Sequence, residues 1–244
     1  MSRYLSYREI EGVAEQITGK YYQMLGISDT DKCPVDPILL AEEVLQLRVT
    51  FLPLCSDGSI LGMAAFDELE LTMILSNGEE KTYIIKDGDI LIDSALQREK
   101  KIGRCNFTIA HETGHHILNR MFHQEYNRLG TRRSHIKFRK ETEARSRSEW
   151  QADALASALL MPKVLIQETL VRFGLGERIE MLNRLYRPKI YQQFSEMSEY
   201  LGVSKQALSI RLSQLGYLDR QKNYLANPYE LLQVYCDDRE CQLI

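Results

Sequence analysis

His111 and His115 stand four residues apart, with Glu112 between them, in the stretch Ala110-His-Glu-Thr-Gly-His115. On a helix, positions i and i+4 project from one face on successive turns, so both imidazoles can converge on one zinc ion. Glu112 falls ~100° round the helix from His111, at the edge of that face. A carboxylate there reaches a water beside the metal without joining the ligands, which is where hydrolysis needs a general base. The plainer alternative is a half-buried helix with two hydrogen-bonded histidines, and a second stretch weighs against it.

That stretch is Glu149-Trp-Gln-Ala-Asp-Ala-Leu-Ala-Ser-Ala-Leu-Leu-Met-Pro162. A catalytic zinc takes three protein ligands and keeps a fourth position open. Glu149 is the candidate third ligand. Asp153, one turn further along the same face, is placed to accept a hydrogen bond from the far ring nitrogen of a ligating histidine and so fix its tautomer. Ala152, Ala154, Ala156 and Ala158 keep this helix thin enough to pack closely on the His111 helix, and Pro162 disfavours helix at Met161. Read on its own, the stretch is also a buried Ala/Leu helix with an acid at the positive end of its dipole.

Taken together, Ala110-His-Glu-Thr-Gly-His115, Glu149-x-x-Ala-Asp-x-x-Ala and Leu159-Leu-Met-Pro162 resemble the ImmA/IrrE family of zinc-dependent metallo-endopeptidases. The resemblance covers roughly residues 35 to 165, with a weaker echo near 194 to 217. Thr113 stands where the family more often has leucine, on the side of the helix away from the metal face. The resemblance implies a zincin-like core and one zinc per chain held by His111, His115 and Glu149, with Glu112 as base. It also implies a protein substrate, a helix-turn-helix transcriptional repressor, and a role in gene regulation.

Such a site needs elements to hold it. Ser6-Tyr-Arg-Glu9 is a capping box ahead of a helix over Ile10–Leu25. Asp36-Pro37 reads as N-cap and first residue of a second helix, Ile38–Leu47. The period then changes to strands at Val49–Leu54, Ile60–Phe66, Leu71–Ser76, Lys81–Lys86 and Asp89–Asp93. Asn77-Gly78, Asp87-Gly88 and Asp57-Gly58 supply turn dipeptides, so an antiparallel sheet is expected. An edge strand beside a peptidase site can pair with extended substrate, because main-chain hydrogen bonds align any peptide. The sequence does not rank the edges. The metal-bearing helix is expected over Phe107–Phe122.

Between Asn127 and Ser148 lies a basic segment that joins the two metal-bearing helices. It is read as a solvated loop in preference to an electrostatic guide for acidic substrate. His123 and His135 flank it away from ligand spacing, and His116 points off the ligand face. Tyr126 is a candidate for an additional oxyanion donor. Further on, Phe194 to Gly216 has helix-turn-helix spacing, with a turn at Gly202-Val203 and a second helix capped by Ser204. Lys205, Gln206 and Arg211 are a thin supply of groups for reading bases and binding phosphate, so DNA binding is not favoured over a structural or partner-binding role.

The 244 residues, 44% hydrophobic with a net charge of -3, suit a globular chain with no general affinity for polyanions. No apolar N-terminal run or membrane-length segment is present, and no membrane partner is expected. Five scattered cysteines, including Cys236 and Cys241 read as free thiols, argue for a reducing cytoplasm. The expected organisation is a zincin-like α+β metallopeptidase domain at 1–165 and a helical region at 166–244 carrying the helix-turn-helix-like segment. The expected function is zinc-dependent endoproteolysis. Its rival is a non-proteolytic DNA- or repressor-binding regulator with a structural or sensory zinc, against which Glu112 argues: a structural site has no use for an unligated carboxylate beside the metal.

Overall fold

The computed structural model describes residues 4–28, 32–54, 60–74, 80–98, 102–122 and 147–218. Helix α1 (Tyr7–Met24) starts in the expected capping box: the Ser6 side chain accepts from the Glu9 amide, and the Glu9 carboxylate accepts from the Ser6 amide at 2.8 Å. It buries Ile10, Ala14, Tyr21 and Tyr22. Asp36 caps the short α2 (Pro37–Leu39) by accepting from the Ile38 and Leu39 amides, with Pro37 in the first turn, where its missing N–H costs nothing. The regular helix expected as far as Leu47 is not formed. The chain widens into a π-helix at Leu40–Val44, and Gln46, in the left-handed region at φ 55°, turns it into the first strand.

Strands β1 (Arg48–Leu52), β2 (Gly62–Ala64) and β5 (Asp89–Asp93) form one sheet in the order β1-β5-β2, while β3 (Leu69–Ile74) and β4 (Glu80–Ile85) form a separate pair. The expected antiparallel pairing holds for β2–β5 and β3–β4. Strand β1 departs from it and runs parallel to β5, from Arg48 opposite Asp89 to Leu52 opposite Asp93. The Arg48 guanidinium donates to both Asp89 carboxylate oxygens, at 2.7 and 2.8 Å, across the first pair of this register. Asp87-Gly88 does make a turn, with Gly88 at φ 90°, but it links two sheets rather than closing a hairpin, because β4 has taken β3 as its partner. Asn77-Gly78 and Asp57-Gly58 lie outside the described residues.

Every residue of β5 is buried, because both faces of the strand are covered. Alternation sends Ile90 and Ile92 to a cluster with Leu96, Cys105 and Ile109, and Leu91 to one with Leu52, Met63 and Ile85 beside the β3–β4 pair. The helices α3 (Ala95–Arg98), α4 (Ile102–Met121), α5 (Arg147–Leu160), α6 (Lys163–Arg172), α7 (Pro188–Tyr200) and α8 (Lys205–Gln214) follow. On one side, α4 and α5 meet α1 in a cluster that includes Leu118, Leu155, Leu159, Ile10 and Tyr21. On the other, a single cluster runs from Ala110 and Ala156 through Leu165, Phe194 and Leu208 to Leu218. The C-terminal helices therefore share a core with the metal-bearing ones. The α7–α8 turn has the expected chemistry, with Gly202 at φ 63° and the Ser204 side chain accepting from the Ala207 amide.

Among the described residues no single helix is long and apolar enough to cross a membrane. The bent pair α5–α6 is apolar over a comparable length, but its Leu155, Ala156, Leu159, Leu160, Leu165 and Ile166 are buried in the interior.

Candidate metal centre

Helix α4 carries His111 and His115 in its middle, and α5 carries Glu149 in its first turn. The two helices approach closely because small residues meet at the crossing. A Cβ on Gly114 would lie 3.1 Å from the Ala152 carbonyl oxygen and 3.3 Å from its Cα, so any larger residue would push the helices apart. Glycine inside a helix costs about 1 kcal/mol relative to alanine, which close packing here offsets. Gly114 thus belongs with Ala152 to the close crossing that brings the two helices together.

At that crossing the His111 and His115 Nε2 atoms lie 3.1 Å apart, and Glu149 places carboxylate oxygens 3.4 Å from His111 Nε2 and 3.6 Å from His115 Nε2. All three side chains are buried. Behind His111, its Nδ1 lies 2.8 Å from Asp153 Oδ1. Because a carboxylate can only accept, Nδ1 donates to Asp153, and Nε2 is the ring atom turned toward Glu149, itself an acceptor. Acceptors held this near in a buried setting require a cation or proton between them. Ligands ~2.0–2.1 Å from a tetrahedral zinc stand about 3.4 Å from one another, so the observed separations fit a metal of that size. Two imidazoles and one carboxylate are also a donor set that zinc accepts.

Glu112 is buried on the adjoining stripe of α4 and faces β2. A Cβ on Gly62 would lie 2.9 Å from Glu112 Cγ and 2.8 Å from Thr108 Cγ2, so the absence of a side chain at Gly62 is what lets the strand approach the helix here. Strands β1 and β2 are the edges of this sheet among the described residues, and β2 is the one packed against Glu112. His116 lies off the metal group, as its helical angle required, yet it is interior. Its Nε2 donates to the Asp89 carbonyl at 3.3 Å and its ring packs edge-on to Phe66. Burial pulls its pKa down to about 4, so it is a neutral packing residue at ordinary pH. Thr113 is fully buried, its hydroxyl donating to the Ile109 carbonyl. His123, Tyr126, His135 and nearly all of the basic segment lie outside the described residues.

Arg211 requires a correction. By its residue type it belongs, with Lys205 and Gln206, to the thin supply of groups that could read bases or bind phosphate. Instead it is among the most deeply buried large side chains, its Nε donating to the Met161 carbonyl at 2.9 Å and its guanidinium paired with the Glu11 carboxylate. The reason lies in tertiary structure: α8 packs across the end of α5 and reaches α1, and a buried guanidinium needs acceptors from both.

The M78 peptidase family, described as the IrrE N-terminal-like domain, matches residues 77–213, more than half of the chain, and the match takes in both metal-bearing helices. The chain belongs to this family. As in the resemblance drawn from the motifs, membership makes it a member of a metallopeptidase family, and the His111, His115 and Glu149 group is its candidate metal centre. The M78 match also continues through α7 and into α8, the elements that share a core with α4 and α5. No curated protein matches the chain.

Proposed function

We propose that the chain is a zinc-dependent endopeptidase whose substrate is a protein, a helix-turn-helix transcriptional repressor. The observation that carries the peptidase reading is the convergence of His111, His115 and Glu149 in a chain of the M78 family, with Glu112, the residue after His111, buried on the same helix and outside the ligand group. The repressor as substrate rests on the resemblance of the motifs. Zinc bound there would polarise the scissile carbonyl and increase the acidity of water at the open position. Glu112 takes a proton from the attacking water and returns it to the leaving amine. Asp153 holds His111 in the Nδ1–H tautomer and aims its Nε2 inward. The substrate backbone lies along the β2 edge, which brings the scissile bond near Glu112. Against the DNA-binding form of the rival regulator reading stands Arg211, which is committed to the interior and unavailable to DNA phosphates.

Repressor cleavage, followed by gel with a chelator control, tests the activity. A zinc-loaded chain that leaves a cognate repressor intact would favour the non-proteolytic regulator. The ligand set has its own test in metal analysis. Purified wild type is expected to hold close to one zinc per chain, and Glu149→Ala to lose most of it, because two histidines alone leave the ion half-liganded. Unchanged zinc in Glu149→Ala would remove Glu149 from the ligands. Asp153→Ala is expected to keep the ligands and to weaken zinc affinity about 10- to 100-fold, the usual consequence of losing the group that orients a ligating histidine. Competition with a chromogenic chelator measures this, and wild-type affinity in the variant would show that the Asp153 contact does not orient His111.

A further inference from the structure

Beside the metal centre a cavity of about 840 Å³ opens between the first turns of α4 and the face of α8. Leu61, Ile102, Phe107, Val203, Ala207 and Ile210 give it apolar walls. Two other lining residues tie it to the centre: Asp153, bonded to His111, and Thr108, one turn before Glu112 and stacked with it against Gly62. Leu61 directly precedes the β2 edge. A chain extended along β2 would therefore pass Glu112 with alternate side chains free to turn into the cavity. A volume of this size takes a ligand of drug-like dimensions, which in a peptide means more than one bulky side chain. Among the lining residues only Arg104 and Asp153 carry charge, so a charged side chain seated against the apolar walls away from them would lose its hydration with little to replace it.

The wall formed by α8 is fixed. A Cβ on Gly103 would lie 2.6 Å from both the Ser204 nitrogen and the Val203 carbonyl carbon, and Asn106 Nδ2 donates to the Gly202 carbonyl at 2.9 Å. The turn of the helix-turn-helix-like pair is thus seated on the start of α4. In a DNA-reading pair the start of the second helix faces base edges; here Ser204, Gln206 and Ala207 at that start line the cavity.

We propose that this cavity is the substrate subsite, that it takes a peptide segment bearing bulky aliphatic side chains, and that α8 supplies its selective wall. The proposal rests on the peptidase reading for its placement beside a scissile bond. Trp150, the single tryptophan, lines the cavity, so its emission reports occupancy without any need for turnover. The full zinc-loaded chain is titrated with acetyl-trileucine amide and acetyl-trialanine amide. Trileucine is expected to shift Trp150 emission saturably, at an affinity at least about tenfold tighter than trialanine. Ile210→Glu alters an exposed position and so leaves the fold intact, as its thermal melt would verify. It is expected to weaken trileucine about tenfold or more, and Ala207→Phe, which fills the cavity, to do the same. Equal binding of the two peptides, undiminished trileucine binding in folded Ile210→Glu, or displacement of trileucine by a short DNA duplex would overturn the proposal. The two readings separate cleanly. A chain that selects trileucine but cuts no repressor keeps the subsite and loses the peptidase, whereas one that cuts repressor but binds both peptides alike keeps the peptidase and loses the subsite.

Discussion

Glu112→Gln is expected to keep its zinc and to lose turnover by about a hundredfold to ten-thousandfold, the range typical of removing a general acid-base group. The three side chains placed to hold the metal are His111, His115 and Glu149, and Glu112 is not among them. Its side chain is instead packed between the helix and Gly62, next to Thr108. Glutamine has the same shape and keeps that packing, so stability and metal content should stay near wild type. What it lacks is the capacity to accept the water proton. Parallel metal analysis and repressor-cleavage gels of wild type, Glu112→Gln and chelated wild type separate the two roles. Cleavage at the wild-type rate by Glu112→Gln would refute the assigned base, and loss of zinc from it would make Glu112 a ligand.

Arg211→Ala is expected to cost about 3 kcal/mol of folding stability, the lower end of the range for breaking a buried ion pair. The lower end applies because Glu11 is about a third exposed and can recover some hydration. The Met161 carbonyl, by contrast, loses its donor in the interior, and an unsatisfied buried acceptor is a penalty in its own right. Since Arg211 joins α8 to α1 and to the end of α5, its loss loosens the wall of the cavity as well as the ends of three helices. In a chain of this length the change lowers Tm by roughly 6 to 12 °C, which a thermal melt or urea titration measures. A melt superimposable on wild type would show that the clamp contributes nothing. Any DNA-binding defect of Arg211→Ala would have to be judged against this destabilisation before it could count as a lost base contact.

Each half of the candidate metal centre was legible because its spacing is local, whereas the meeting of the two halves is tertiary. The four-residue spacing of His111 and His115 sets their common face on any helix, and the same spacing puts Asp153 one turn from Glu149. Capping chemistry at Ser6, Asp36 and Ser204 was equally legible, since each cap bonds amides within three residues of itself. Tertiary structure alone decided the features whose partners are distant in the chain. Strand β1 lies parallel to β5, with Arg48 opposite Asp89, 41 residues away, and no local pattern specifies that register. Gly62, Gly103 and Gly114 are meaningful only through the backbone or side chains that approach them from other elements. Arg211, read locally, is a cation on a polar helix; a carboxylate 200 residues away and the carbonyl of Met161 make it a buried clamp. The sequence by itself determined which residues could share a helix face and so which chemistry was available. The tertiary structure decided which faces met, because the close approaches, the cavity and the buried ion pair depend on packing between elements that local spacing does not encode.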